Sequence, residues 1–336
     1  MKSYEDFKEF YSEELFAELL EMDGIRKAML IKCTFATVLL LGLTGLTSLL
    51  LSTEQSETVL WVLVAWILCI GLWCIAIWYF TRYYRGNFKH LVIDKLVEFI
   101  DPNLSYAPEG SIPEYIFRRA EIFERYVNTF EGEDLICGTI GKTHIRFSEI
   151  NAQYQEENED TLWTSIMSSD SLIETLMNKY KHTIFKGLFF EADFHKSFHG
   201  QVLVMPDKAE KYFGRFGSML QSYNFIRGEL MKMDNAEFEK DFVVYGSDQI
   251  QARYVLSPRI LGKIVELKKK AGSALFLSFK NSMLYIAIPC KENKFEPPYF
   301  KSLIDYMATF RYFQDLALFI GIVDEFNLNT RIWTKE

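Results

Sequence analysis

Little in this chain invites redox or metal chemistry. Its 336 residues include five cysteines and five histidines, with no CxxC and no zinc-type spacing. Cys33, Cys69 and Cys74 fall inside apolar runs, and Cys137 and Cys290 stand too far apart in sequence to form a motif. They read as reduced packing residues in a cytosolic region. Also missing is any long basic run: the net charge is −8. A nucleic-acid partner needs a concentrated cationic footprint, so that class is set aside. No GxSxG is present, and His90, His144 and His182 build no triad, so no catalytic residue and no cofactor-binding residue is assigned.

What the chain does have is two long apolar runs. From Cys33 to Leu51, and again from Val59 to Phe80, it carries no charged residue. As helices these runs are about 28–33 Å long, the thickness of a hydrocarbon core. They are read as a transmembrane hairpin, with spans about 33–51 and 59–80, because only paired backbone survives at that depth. Arg26, Lys27 and Lys32 precede the first span, and Arg82, Arg85 and Lys89 follow the second. Glu54 and Glu57 occupy the short loop. The positive-inside rule then predicts both termini in the cytosol. Gly42, Gly45 and Ser48 offer a small-residue seam, between the spans or between subunits.

Residues 2–23 hold eight acids and two lysines, with Phe7, Tyr11, Leu15, Leu19 and Met22 on one helical stripe. An acidic helix suits protein better than an anionic leaflet, so it is expected to pack on its own chain or on a partner.

After Gly86 the expected fold is α+β: a cytosolic antiparallel sheet with helical cover, following the N-terminal hairpin. The divisions are 1–25, an acidic amphipathic helix; 26–85, the hairpin; and 86–336, the soluble region, with a polar insertion near 155–182. A helix is predicted to continue from the second span to Ile100, and another to run from Ser111 to about Phe130. Leu135–Ile140 and His144–Tyr154 flank a turn at Gly141. GLFFEADF reads as a half-buried strand followed, across HKSFHG, by QVLVMP. ALFLSFK and MLYIAIP form a hairpin around Asn281-Ser282. Further helices are predicted near Asp207–Phe216, Arg259–Lys270 and Ser302–Asn327.

Two motifs tempt. Gly138–Thr143 mimics the end of a phosphate loop, but Ile136 stands where the first glycine belongs and strand follows, so a hairpin turn is expected. His195 and His199, with Asp193, are the candidate metal ligands. In extended chain four residues span about 13 Å, so no metal is assigned.

The segments EGEDLICGTIGKTHIRFSEI, FKGLFFEADFHKSFHGQVLVMPD and NAEFEKDFVVYGSDQIQARYVLSP resemble a bacterial two-span membrane-protein family catalogued as a domain of unknown function. The resemblance implies a bacterial cytoplasmic membrane and a possible neighbour, a LemA-type membrane protein. It carries no catalytic residues. In the third segment Ser247 or Asp248 is an N-cap, and Arg253 is expected to pair with Asp241 or Asp248. The functional expectation is a membrane-tethered cytosolic interaction or scaffold module, bound to the lipid bilayer and open to homo-oligomers. The alternative is a membrane-bound enzyme or ligand binder acting on a lipid or nucleotide.

Overall fold

The computed structural model describes residues 2–51, 56–123, 126–155, 181–194, 196–207, 229–326 and 328. The polar insertion near 155–182, and the helix expected near 207–216, lie almost wholly outside the described residues. Packing divides the chain into two units: Lys2–Phe99 with Phe295–Phe313, and Ile100–Lys294 with Gln314–Glu336.

The first unit is helical. Helix α1 (Tyr4–Phe10) starts at Ser3, where a reciprocal Ser3–Asp6 capping box satisfies the free N–H groups. A π-helical turn at Tyr11–Leu15 leads into α2 (Phe16–Leu51), and α3 (Ser56–Phe88) returns. A second π turn, Lys89–Ile93, joins α3 to α4 (Asp94–Ile100). Two of these helical stretches, Tyr4–Thr47 and Trp66–Ile100, are long and apolar enough to cross a membrane, and their apolar windows are almost wholly exposed.

Among the described residues, threonine and tryptophan make polar contacts between α2 and α3. Trp66 Nε1 donates to Thr47 Oγ1 at 3.0 Å, and Trp73 Nε1 donates to Thr37 Oγ1 at 3.2 Å. A Cβ built at Gly42 or Gly45 would meet nothing within 4 Å among the described residues. The indoles of Trp66 and Trp73 reach across from α3 to α2.

The acidic N-terminal helix packs on its own chain. Phe7, Leu15, Leu19 and Met22 are fully buried, each contributing roughly 1.5–3 kcal/mol. The Phe7 ring stacks on Phe313 at 4.7 Å and touches Tyr306 and Phe310, while Phe10 stacks on Phe99 at 4.1 Å.

The second unit is built on a nine-stranded sheet, wholly antiparallel, in the order β1-β2-β3-β4-β9-β8-β5-β7-β6. The strands are β1 (Leu104–Ala107), β2 (Thr129–Ile140), β3 (Thr143–Gln155), β4 (Lys181–Asp193), β5 (Gln201–Pro206), β6 (Glu229–Met231), β7 (Phe242–Gly246), β8 (Phe276–Lys280) and β9 (Met283–Pro289). The α+β expectation holds.

Several details differ from the sequence reading. The helix expected over 111–130 is α5, Glu114–Arg119 alone, capped by Pro113. Glu121 takes a left-handed φ of 49° and turns the chain, so that Ile122 and Val127 join the core beside Phe117. Strand β4 is buried on both faces: Leu188, Phe189, Phe190 and Glu191 are all within 1% of full burial. One face meets Ile116 and Phe117 of α5, and on the other Phe147, paired with Phe190, stacks on Phe319. Nor is β5 the partner of β4, because the β8–β9 hairpin lies between them. That hairpin turns at Asn281 and Ser282, both at positive φ, as a tight two-residue turn requires. The last helix is shorter than expected, Tyr306–Ile320, with a separate turn at Ile322–Glu325.

Gly187 sits in the middle of β4 at φ 153°, and a Cβ there would lie 2.1 Å from the Ile288 carbonyl oxygen of β9. Only glycine permits this approach. Gly187→Ala is therefore expected to destabilise the sheet unit by about 2–4 kcal/mol. The check is the denaturant midpoint of full-length protein in detergent.

Candidate functional site

The densest buried polar chemistry in the helical unit starts from spacing. Asp23, Arg26 and Lys27 stand at i, i+3 and i+4, so α2 brings both cations to the one carboxylate. Asp23 is 1% exposed. Its Oδ1 accepts from Arg26 Nη2 at 2.9 Å and Nε at 3.0 Å, and from Ser302 Oγ at 3.0 Å. Lys27 Nζ is 2.9 Å from its other oxygen. Burial alone would push its pKa up, but the hydrogen bonds from Lys27, Arg26 and Ser302 win and hold it at about 2. Arg26 also donates to the Tyr299 carbonyl at 3.3 Å.

A second clamp grips the same loop from α3. Arg85 Nη2 lies 2.6 Å and Lys89 Nζ 3.3 Å from Glu296 Oε1. The Tyr84 hydroxyl donates to the Pro298 carbonyl at 3.0 Å, and the Tyr312 hydroxyl to the Glu296 carbonyl at 2.7 Å. Burial drives Tyr84 far above the normal phenol range, so it stays a donor. The segment Glu296-Pro-Pro-Tyr-Phe300 is thus tied to both long helices by side chains and by its own carbonyls. Beside it runs a groove of about 440 Å³, lined by residues including Leu30, Cys33, Thr37, Ile77, Tyr299 and Phe300. Phe300 is 87% exposed.

The sheet unit holds a different arrangement. Register places Arg146, Glu191 and Tyr285 side by side on β3, β4 and β9. Glu191 is buried and takes Arg119 Nη2 at 3.0 Å on Oε1 and Arg146 Nε on Oε2. Arg119 Nε donates to the Tyr285 hydroxyl at 3.0 Å. Burial and the nearby Glu191 charge raise Tyr285 above its usual value, so it remains protonated. On the same sheet a cleft of about 320 Å³ is lined by Glu131, Glu133, Glu149, Asn151, Lys186 and Asn293, among others. Glu149 accepts from the Lys294 backbone N–H at 2.5 Å, and Glu133 from Asn293.

The sequence candidates sit elsewhere. Asp193 ends β4 opposite Met283. His199 is exposed at the surface, and its backbone N–H donates to Gln251 Oε1 at 3.0 Å. His195 lies outside the described residues. Gly141, at φ 62°, turns β2 into β3, so the phosphate-loop lookalike is a hairpin. Asp248 is the N-cap, accepting from Ile250 N–H at 2.8 Å, but Arg253 reaches Asp234 at 3.7 Å while Asp241 pairs with Lys268. Sequence reasoning missed the Asp23 trio and the Pro-Pro-Tyr-Phe loop. The signals were present: acid and base at helical spacing ahead of an apolar run, and two aromatics after paired prolines.

Residues 183–328 match the family described as protein of unknown function (DUF3137). This shows a domain of unknown function over less than half of the chain; it takes in the second and third of the quoted segments, and the first, at 131–150, lies before it. The DUF3137 segment begins in β4 and takes in the loop 295–304; α2 and α3 lie before it. No curated protein matches. Among solved structures, the crystal structure of the mycobacterial trehalose monomycolate transport factor A, TtfA, is similar at 10% identity. The alignment covers 67% of this chain and 91% of that chain, with a TM-score of 0.30. A likeness at that level supports no conclusion about function.

Two predictions follow from the buried carboxylates. Asp23→Asn is expected to cost about 2 kcal/mol, the depression of its pKa converted at ~1.4 kcal/mol per unit. Because that pKa is lowered on folding, the wild-type contribution is whole above about pH 4 and fades towards pH 2. Thermal melts of both proteins across that range should therefore converge at the acid end. Glu191→Gln leaves two part-exposed arginines facing each other and is expected to cost about 2 kcal/mol, since water screens part of the loss. Urea titration of the variant in detergent gives the value.

Proposed function

We propose that this chain is a membrane-tethered interaction or scaffold module, anchored in the bacterial cytoplasmic membrane with both termini in the cytosol. One observation carries the reading. The faces of α2 and α3 are apolar and open: Ile31, Phe35, Ile67 and Leu72 are each about 70% exposed. Large apolar side chains cost roughly 1.5–3 kcal/mol apiece in water relative to burial, and a bilayer removes that cost along the apolar run of each helix. Trp78, Tyr79 and Tyr83 are exposed together at the end of the second apolar run, as an interfacial belt requires.

The partners in this proposal are the lipid bilayer, a LemA-type membrane protein and a second copy of the chain. The interaction role draws support from how the polar groups are used. In both charged clusters the carboxylate is engaged by two cations, Arg26 and Lys27 at Asp23 and Arg119 and Arg146 at Glu191, an arrangement that holds structure rather than transfers protons. The ligand-binder alternative rests on the cleft in the sheet unit. Glu131, Glu133, Glu149 and Glu292 outweigh Lys186 there, which disfavours a nucleotide and its phosphates.

The test is topology. In a version whose five native cysteines are replaced, Ser56→Cys should react with a membrane-impermeant maleimide added to intact cells. Glu336→Cys should react only after lysis. Labelling of Glu336→Cys in intact cells would overturn the orientation, and release of the protein from membranes by alkaline carbonate would overturn the anchor.

A further inference from the structure

We propose that the groove at the base of α2 and α3 holds one acyl chain of an anionic phospholipid from the cytosolic leaflet, seated by Phe300. This deepens the membrane-tethered reading and rests on it.

The walls ask for hydrocarbon. The threonine hydroxyls are already spent on their own helices: Thr34 donates to the Leu30 carbonyl at 2.7 Å, Thr37 to Cys33 at 2.8 Å and Thr81 to Ile77 at 2.8 Å. Water in such a space would find few of the polar partners it needs. A volume of about 440 Å³ lies within the ordinary range for a bound small molecule.

Depth agrees. Thr37 lies four residues inside the run that starts at Cys33, and Ile77 three residues before the second run ends at Phe80. At 1.5 Å per residue the groove runs from Leu30, about 4–5 Å outside the edge of the hydrocarbon, to about 4–6 Å below it, the depth at which apolar side chains of interfacial segments rest.

Phe300 is held in this exposed position. The carbonyl of Tyr299 is taken by Arg26, that of Pro298 by Tyr84, and the Glu296 carboxylate by Arg85 and Lys89. With the loop pinned on both sides, the ring stands exposed, 87% in the open, beside the groove. Charge at the mouth selects the headgroup. Lys32 adjoins Cys33 and lies over the Phe80 ring at 5.3 Å, Arg82 adjoins Thr81 and lies over Trp78 at 5.2 Å, and Lys301 adjoins Phe300. Near an anionic leaflet each such cation draws a negative headgroup towards the mouth of the groove.

The experiment uses full-length protein in vesicles of phosphatidylcholine and phosphatidylglycerol, with a trace of phosphatidylglycerol bearing a photoactivatable acyl chain. After illumination, labelled peptides are mapped by mass spectrometry. Label is expected on the outer faces of α2 and α3 and also on residues 29–37 and 295–301. Excess phosphatidylglycerol should displace the groove label more strongly than excess phosphatidylcholine. Thr37→Trp, which fills the groove, and Phe300→Ser, which removes the wedge, should each cut groove labelling severalfold and leave the span faces unchanged. Span faces labelled without the groove, or groove label indifferent to both variants, would overturn the proposal and leave the membrane reading standing. Crosslinks joining two copies through residues 295–301 would assign the groove to a second protomer and overturn it as well. Equal displacement by the two lipids would overturn the headgroup assignment. No label on the span faces would sink the membrane reading itself, and the proposal with it.

Discussion

The helical unit depends on one buried carboxylate. Asp23 sits where the N-terminal helix gives way to the first long apolar run, and its oxygens collect Arg26, Lys27 and Ser302. A lone buried carboxylate is expensive; one with several donors is stable and also specific in geometry. Because Ser302 lies nearly three hundred residues further on, satisfying Asp23 fixes where a late segment of the chain must lie. Around that point the aromatic stack of Phe7, Tyr306, Phe310 and Phe313 supplies the apolar burial that a small polar cluster cannot.

The sheet unit solves a different problem. A strand such as β4, with four consecutive residues out of water, needs cover on both faces. α5 supplies it on one face and residues of the C-terminal helices on the other. Glu191 is the exception within this strand. It is tolerated because register sets Arg146 and Tyr285 on the flanking strands, and Arg119, at the end of α5, reaches down to it. The same packing demands glycine at position 187, where the backbone of β9 leaves no room for a Cβ. Local oddities here are consequences of a close-packed, two-sided sheet.

Hydrophobic period and turn chemistry are local quantities, and they carried far. The two apolar runs, the acidic stripe of Phe7, Leu15, Leu19 and Met22, the Asn281-Ser282 hairpin and the Asp248 cap were all legible, because each is decided by residues within a turn or two of one another. Reading failed where a distant partner decided. Alternation in GLFFEADF gave a strand but not its burial, since the cover on its second face comes from residues past 313. Adjacency in sequence gave β5 as the neighbour of β4, yet the β8–β9 hairpin takes that place. The helix begun at Pro113 lost its later turns to the core that Ile122 and Val127 enter.

The candidate groove shows the same division. Composition and charge by themselves determined that α2 and α3 are long apolar helices with cations at one end, because helix length and hydropathy are sums over neighbours. The paired prolines ahead of Phe300 were in the sequence as well, but the reading did not use them. Only the tertiary structure decided that this loop lies against those helices, that its carbonyls are consumed by Arg26 and Tyr84, and that one ring is thereby left exposed. The reason is range. A buried ion pair reads the position of its partner in space, and sequence specifies that position only through the fold as a whole.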